Sequence, residues 1–245
     1  MGEAEGDGSA PRCVWLTGAS SGIGAAIREH LTSLGHHVVG LSRQPGEASE
    51  RYHPVVVDFA EVNDLDRQIS EALHSQSNLP QPDALVLNAA APLFGTLEQL
   101  SASDVTRNLQ TNLLAPLLLT RRLLPTLKKQ PHANIVFIGS ESAFRAGPQG
   151  TVYCAAKFGL RGFADALRQE CTKGSGVAVT SIHPGVVRTP WFDDLHFEPG
   201  EEEENALRPE EVATVVAQVL EVRPGAVVEE VRLAPLKRVV RSRQR

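Results

Sequence analysis

The sequence lacks a long apolar run. Its longest, residues 113–120, is interrupted by Pro116 and is far shorter than the roughly 20 residues needed to cross a bilayer. Residues 1–11 are acidic and glycine-rich and contain no basic segment followed by an apolar one, so we expect a flexible tail and no signal peptide. Both absences argue against a membrane protein and predict a soluble one.

Cysteine is scarce as well. Cys13, Cys154 and Cys171 form an odd set without paired spacing, which argues against a disulfide framework and favours reduced thiols in a cytoplasmic compartment. We interpret Cys154, beside Tyr153, as a packing residue. No cluster of histidines, cysteines or carboxylates has the spacing of metal ligands, so we expect no metal and interpret His183 as structural.

An excess of positive charge is also missing. The net charge is −5 at pH 7, which argues against a nucleic-acid partner. A local group of basic residues ends the chain, and we interpret residues 237–245 as a solvated basic tail. What remains, 245 residues of which 42% are hydrophobic, is enough for one sizeable globular domain.

Short apolar runs alternate with amphipathic segments along nearly the whole chain. Such runs are typical of buried parallel strands, and apolar residues repeated with helical spacing are typical of helices. The predicted strands are residues 13–17, 37–41, 54–57, 84–87, 134–138, 177–182 and 226–233. The predicted helices are residues 23–34, 64–73, 103–129, 152–171 and 209–220, the third of them bent at Pro116.

This alternation predicts an α/β protein with a single-domain doubly wound parallel sheet, a Rossmann fold, over residues 12–236. Ligands of such sheets bind outside the carboxyl ends of the strands, so the loops there should carry the chemistry. Residues at about 187–208 lack clear periodicity and contain prolines and a run of glutamates. We expect them to form a substrate loop that orders over the bound ligands.

The turn after the first strand runs from Thr17 to Gly24 and reads Thr-Gly-Ala-Ser-Ser-Gly-Ile-Gly. Glycine reaches backbone angles closed to other residues and allows a pyrophosphate to approach the chain closely. The helix that follows directs its free N–H groups and the positive end of its dipole at such an anion. Its position between strand and helix favours a dinucleotide-binding turn over an ordinary tight turn.

A second motif is Tyr153 followed by Lys157. Residues four apart on a helix share a face. An unperturbed phenol has a pKa of about 10, and a nearby ammonium lowers that pKa, so that the phenol can act as an acid and base near neutral pH. Ser140 lies thirteen residues before Tyr153, and Ser142 competes with it for the same role.

With its TGxxxGxG turn, its YxxxK pair and the spacing of Ser140, the sequence resembles the classical short-chain dehydrogenase/reductase family from residue 12 to residue 233. The resemblance implies that Ser140, Tyr153 and Lys157 are catalytic. It also implies that Asn112 holds a water in a proton relay. A structural role, bridging a helix to the backbone, is the alternative for this asparagine.

The resemblance further implies which residues line the cofactor. One segment departs from the family, because alanine stands at Ala90 or Ala91 where a glycine is usual, so we expect a slightly different turn there. The expected cofactor-binding residues are Gly18, Ser20, Ser21, Gly22, Ile23, Gly24, Ser42, Arg43, Asp58, Phe59, Asn88, Ala89, Ala90, Tyr153, Lys157, Pro184, Gly185, Val187 and Thr189.

The choice of cofactor depends on Ser42 and Arg43. An acidic residue after the second strand would bond the ribose 2′-hydroxyl of NAD(H) and repel a 2′-phosphate. Ser42 stands in that place, and Arg43 offers a fork for a phosphate. We therefore predict NADP(H) as the cofactor, with an NAD-linked alcohol dehydrogenase as the alternative.

The expected reaction interconverts a small-molecule ketone or aldehyde and its alcohol by hydride transfer, with Tyr153 as general acid and base. A catalytically idle, nucleotide-binding regulatory protein of the same fold is the alternative. The family resemblance and the apolar excess of the helices at 103–129 and 152–171 predict a homodimer or homotetramer. The expected substrate-contacting residues are Ser140, Ser142, Tyr153 and Trp191, with Glu141, Phe144, Arg145, Gln149 and Phe192 as further candidates.

Overall fold

The structure, a computed structural model, describes residues 11–75, 78, 81–172 and 175–243. Its strands are β1 (Cys13–Thr17), β2 (His37–Ser42), β3 (Tyr52–Val56), β4 (Ala84–Leu87), β5 (Ala133–Ile138), β6 (Val177–Pro184), β7 (Phe197–Pro199), β8 (Glu230–Leu233) and β9 (Val240–Ser242). All but β7 and β9 form one parallel sheet in the order β3-β2-β1-β4-β5-β6-β8. The predicted doubly wound Rossmann sheet is confirmed.

Helices cover both faces of this sheet. They are α1 (Gly22–Ser33), α2 (Leu65–Ser75), α3 (Ala102–Leu109), α4 (Ala115–Leu127), α5 (Thr151–Thr172) and α6 (Pro209–Leu220). The core on one face joins α1 to α6, and the core on the other face joins α2, α4 and α5. None of these helices is both long and apolar enough to cross a membrane.

Burial on both faces explains why the strands read as unbroken apolar runs. Along β1, Cys13 and Trp15 pack into the core shared with α2, α4 and α5, whereas Val14 and Leu16 pack into the core shared with α1 and α6. The strand order reverses between β1 and β4, in the middle of the sheet. The loops that leave these two strands therefore open the crevice where ligands of this fold bind.

The long helix predicted at 103–129 is divided in the structure. A π-helical turn, Gln110–Leu114, separates α3 from α4, and Pro116 lies in the first turn of α4. Proline lacks a backbone N–H, so the regular hydrogen-bond ladder cannot continue through that position. The interruption falls directly before the proline at which the sequence predicts a bend.

The predicted basic tail is largely exposed, but the end of the described chain is not free. Val240–Ser242 forms β9, which pairs antiparallel with β7 in the substrate loop. The reason is charge complementarity, since Arg241 and Arg243 both form ion pairs with Glu198 of β7. The expected N-terminal tail lies outside the described residues, apart from Pro11, and so do residues 244 and 245.

Candidate active site

The turn from Thr17 to Gly24 is braced against the end of β4. The Thr17 hydroxyl accepts hydrogen bonds from the backbone N–H groups of Asn88 and Ala89, both at 2.9 Å. The Asn88 amide donates in return to the carbonyl oxygens of Thr17 and Gly18, both at 3.2 Å. The end of β4 therefore holds the turn in place where the strand order reverses.

Three glycines of this turn are required by its geometry. Gly18 and Gly22 have positive φ angles of 69° and 52°, which favour glycine. A Cβ on Gly24 would lie 1.9 Å from the Gly18 carbonyl oxygen, and a Cβ on Gly22 would lie 3.2 Å from the Thr189 side chain. The two serines before Gly22 are exposed, so an anion can reach the free N–H groups at the start of α1.

The end of β2 lies beside the turn, since the Gly18 N–H donates to the Leu41 carbonyl at 2.8 Å. Ser42 is 6% exposed, and its hydroxyl has no hydrogen-bond partner in the described part of the chain. Arg43 is exposed. An unsatisfied hydroxyl next to an exposed guanidinium suits a ligand with several acceptor oxygens.

Asp58 and Phe59 follow β3 along the same edge of the sheet. Phe59 is buried in the core. The Asp58 carboxylate accepts a hydrogen bond from the Ala60 N–H at 2.9 Å, and the Asp58 N–H donates to the Gln68 side chain at 3.0 Å. One carboxylate oxygen of Asp58 is therefore already engaged in shaping its own turn.

Ser140, Tyr153 and Lys157 come together at the carboxyl end of β5. The Lys157 ammonium donates to the Ile138 carbonyl at 3.1 Å and lies 5.7 Å from the centre of the Tyr153 ring. Tyr153 is 7% exposed and Lys157 is 3% exposed. The Ser140 hydroxyl accepts from the Ser142 N–H at 3.1 Å, so the two competing serines share one tight turn.

Burial dominates the ionisation of this cluster. It raises the pKa of Tyr153 to about 12, against the opposing effect of the Ser140 hydroxyl, and it lowers the pKa of Lys157 to about 8. The prediction that the ammonium lowers the pKa of the phenol is wrong for this structure. The ammonium bonds the Ile138 carbonyl instead, and aromatic rings cover the phenol.

Asn112 lies in the π-helical turn and is 1% exposed. Its side chain accepts from the Ala91 N–H and donates to the Ala91 carbonyl, both at 2.8 Å. Asn108, on α3, donates to the same carbonyl at 2.9 Å, and sequence reasoning missed it. The structural role given as the alternative for Asn112 is therefore present, and its part in a proton relay stays a prediction.

A cluster of aromatic rings covers Tyr153. Trp191 and Phe94 lie 5.6 Å and 5.5 Å from its ring, centre to centre, and 5.7 Å from each other. Phe197 packs edge-on against Phe94 at 4.9 Å, as Phe192 does against Trp191 at 4.9 Å. Sequence reasoning named Trp191 and Phe192 but missed Phe94 and Phe197, because only contacts between distant segments identify them.

Two other candidates for the substrate pocket, Gln149 and Phe144, lie in different surroundings. Gln149 has a φ of 62°, and its carbonyl accepts from the Gly95 N–H at 2.8 Å, which ties its turn to the residue after Phe94. Phe144 packs instead edge-on against the buried His183, at 4.7 Å between ring centres. Burial lowers the pKa of His183 to about 4, so this ring is neutral at physiological pH.

The segment after β6 closes the site toward the glycine turn. The Gly185 N–H, directly after Pro184, donates to the end of β8 at 2.7 Å. Val187 is buried, and its backbone pairs with Leu207 across the loop. The Thr189 hydroxyl donates to the Val187 carbonyl at 3.4 Å, and its side chain faces the glycine turn.

A glycine-rich turn, an edge suited to a phosphate and a buried Ser–Tyr–Lys cluster thus line one edge of a Rossmann sheet. Together they define the class of nucleotide-dependent oxidoreductases. Comparison with known proteins narrows this class, because residues 12–198 match the model of the short chain dehydrogenase family. The chain belongs to the short-chain dehydrogenase/reductase family.

Relatives with known names agree with this assignment. The chain is 30% identical to a sepiapterin reductase from Chlorobaculum tepidum, over 90% of this chain and 94% of the relative. It is also similar to an alcohol dehydrogenase from Thermococcus sibiricus complexed with 5-hydroxy-NADP, with a TM-score of 0.79 and 23% identity over 93% and 97% of the two chains. A 3-ketoacyl-(acyl-carrier-protein) reductase from Brucella melitensis complexed with NADH has a TM-score of 0.77 and 21% identity over 93% and 98%. These two structures show the shared fold.

Proposed function

We propose that the protein is an NADP(H)-dependent oxidoreductase that interconverts a carbonyl compound and its alcohol. The observation that carries this proposal is the buried cluster of Ser140, Tyr153 and Lys157 on the same edge of the sheet as the glycine turn. A phenol that keeps its proton, next to a serine hydroxyl, can stabilise the alkoxide that forms when a carbonyl is reduced.

The residues along this edge fit a nicotinamide dinucleotide. The glycines leave a cradle that a Cβ would fill, and the start of α1 offers N–H groups to a pyrophosphate. The unsatisfied Ser42 hydroxyl and the Arg43 guanidinium would hold the 2′-phosphate of NADP(H). Asp58 would meet the adenine, and Val187 and Thr189 would lie against the nicotinamide. When bound, the reduced cofactor supplies the hydride.

The chain's own residues control the proton. Tyr153 donates its phenolic proton to the carbonyl oxygen, and Ser140 donates a hydrogen bond that holds the same oxygen. Burial keeps the pKa of Tyr153 at about 12, so at neutral pH the phenol carries the proton that reduction of a carbonyl requires. Lys157, whose pKa of about 8 lies nearer neutrality, returns a proton to the phenolate, with Asn112 on the relay path.

The aromatic cluster favours a substrate with a flat apolar group beside its carbonyl. Phe94 and Trp191 contact the Tyr153 ring, Phe192 and Phe197 pack behind them, and aromatic rings bind flat apolar groups well. Similarity to a protein named a sepiapterin reductase supports a reductase that acts on a small molecule.

Cofactor titration followed by a substrate panel tests the proposal. We expect NADPH to bind at least about tenfold more tightly than NADH and to be oxidised by one or more aryl ketones or aldehydes. Equal dissociation constants would favour the NAD-linked alternative. Tight NADPH binding without turnover of any ketone, aldehyde or hydroxy acid would favour the idle regulatory protein.

We also propose a homodimer or homotetramer assembled through α4 and α5. Leu114, directly before α4, and Phe158 on α5 are 40% and 43% exposed, so both leave apolar surface that a second copy could cover. Leu160 and Leu167, which the apolar pattern also offers as interface residues, are buried in the core of the chain itself. A monomeric mass by light scattering at micromolar concentration would refute this assembly.

A further inference from the structure

The end of the chain and the substrate loop form one small antiparallel sheet. In the register of β7 and β9, Phe197 lies opposite Ser242 and Pro199 lies opposite Val240. Two hydrogen bonds extend the pairing beyond the strands, from the Gly200 N–H to Val239 and from the Arg243 N–H to His196, both at 2.9 Å. The last described residues are thus attached to the loop by backbone bonds.

Charged side chains reinforce this attachment. Both oxygens of the Glu198 carboxylate are bound: Oε2 accepts from Arg243 Nε at 2.8 Å and Oε1 accepts from Arg241 Nε at 2.9 Å. Arg243 donates in addition to the Asp193 carbonyl, and Arg241 pairs with Glu201. One carboxylate of the loop is therefore held by two guanidinium groups, one on β9 and one directly after it.

Two more basic residues, Lys237 and Arg238, form ion pairs nearer to Ser140. Lys237 forms ion pairs with Glu202 and Glu204, two acids of the glutamate run. Arg238 lies 3.6 Å from the carboxylate of Glu141, the residue directly after Ser140. The cations of the segment thus meet acids of the substrate loop and of the turn that carries the candidate catalytic serine.

These links end next to the rings that cover Tyr153. Asp193, held by Arg243, is two residues after Trp191. Phe197, next to Glu198, packs against Phe94. Displacement of β9 would therefore release both sides of the aromatic cluster.

Apolar packing alone does not fix the loop against β9. An open depression of about 490 Å³ lies between them, lined by Arg241 and Arg243 at the end of the described chain and by Thr189, Phe192 and Glu198 of the loop. Because side chains do not fill this depression, the backbone and ionic links at its edge contribute to the position of the loop.

We propose that Arg243 and Arg241 are positioning residues that hold the substrate loop, and with it Trp191, over Tyr153. Their effect on turnover rests on the proposed function, but their effect on the loop does not. Ion pairs at the surface are individually weak and are screened by salt. The fraction of molecules in which the loop covers Tyr153 should therefore depend on the salt concentration. Added salt or loss of one arginine should open the loop without unfolding the domain.

The test uses the full chain with Arg243→Glu, which reverses the charge facing Glu198. Trp191 is half-buried and Trp15 is 1% exposed, so quenching of tryptophan fluorescence by neutral acrylamide reports chiefly on Trp191. We expect the quenching constant to rise about twofold and KM for the carbonyl to rise about three- to tenfold, with the NADPH dissociation constant nearly unchanged. Arg67→Glu is the matched control, since it reverses an arginine that also forms ion pairs with two carboxylates but lies on α2.

Two further measurements keep the proposal falsifiable. Salt should raise the quenching constant of the unmodified protein more than that of Arg243→Glu, which keeps the ion pairs of Arg241 with Glu198 and Glu201. Arg243→Lys should recover part of the loss. Unchanged quenching in Arg243→Glu would overturn the proposal even if KM rose, because the arginine would then act on the substrate itself. If no carbonyl is turned over, the proposed function fails while the quenching result still decides the position of the loop.

Discussion

On the proposed cofactor side of the site, the turn from Thr17 to Gly24 is held by hydrogen bonds from the Asn88 side chain to its backbone and by space too small for a side chain. On the proposed substrate side, the segment that carries Trp191 is held by tilted and edge-on ring contacts and by ion pairs to Arg241 and Arg243. We expect the first arrangement to tolerate almost no change in geometry and the second to respond to salt and to single charges.

Tyr153 lies where the two sides meet, and its removal should have the largest effect. Tyr153→Phe removes one hydroxyl and keeps the ring, so the loop and the glycine turn should both stay in place. Turnover should fall by about a hundredfold to ten-thousandfold, the usual range for a lost general acid, with NADPH affinity within a few-fold. Steady-state assays with the best carbonyl substrate give the comparison, and near-normal turnover would remove Tyr153 from the mechanism.

The matched control is the other tyrosine of the chain. Tyr52 is also buried, and its hydroxyl donates to the Pro45 carbonyl, four strands away from β5 and Ser140. Tyr52→Phe should lower the free energy of unfolding by about 0.5–1.5 kcal/mol, the net value of one hydrogen bond, and leave turnover at saturating NADPH unchanged. Similar losses of turnover in both variants would mean that burial of a hydroxyl, and not chemistry, explains the first result.

Gly24→Ala tests the rigid side alone. The added Cβ would lie 1.9 Å from the Gly18 carbonyl oxygen, a backbone atom, so the turn itself must shift. Overpacking typically costs about 1–3 kcal/mol, so we expect the dissociation constants of NADPH and NADH to rise equally, by up to about a hundredfold. Gly147→Ala is the control, because its Cβ would meet nothing within 4 Å. Normal cofactor binding by Gly24→Ala in titrations would show that the turn is softer than its contacts imply.

The difference between local and long-range contacts explains what the sequence could predict. The strands, the glycine turn and the pair of Tyr153 and Lys157 on one helix follow from local patterns, and all of them are present in the structure. The pairing of Arg243 with Glu198 joins residues 45 positions apart, so no local pattern reveals it. The raised pKa of Tyr153 also escaped prediction, because it depends on Phe94, which reaches the phenol only in the folded chain.

Arg43→Ala should distinguish a side-chain contact from the geometry of the turn. If the guanidinium binds the 2′-phosphate, its loss should cost about 1.5–3 kcal/mol, or roughly ten- to a hundredfold in the NADPH dissociation constant. The NADH constant should stay the same, in contrast to Gly24→Ala. Arg67→Ala, at an exposed position on α2, is the control. Equal losses for the two cofactors would assign Arg43 a role other than phosphate binding.

The smallest expected effect concerns the free energy of unfolding, to which the buried ammonium of Lys157 contributes. Burial lowers the pKa of Lys157 to about 8, from the 10.5 of a free lysine. Between these two values the unfolded chain binds a proton that the folded chain does not, so this group makes stability rise with pH from about 8 to about 10.5. Below pH 8 the folded protein bears the full unfavourable energy of a buried ammonium.

Lys157→Met should therefore unfold less readily than the unmodified protein at neutral pH, although it loses turnover. The expected gain is roughly 1–2 kcal/mol, because the lost hydrogen bond to Ile138 offsets part of the benefit of removing the charge. Urea unfolding at a series of pH values gives the difference between the two proteins, which should shrink as pH rises through the window. Lys129→Met, at an exposed position, should show no such trend. A variant less stable at every pH would mean that Lys157 supports the fold as well as the proposed chemistry.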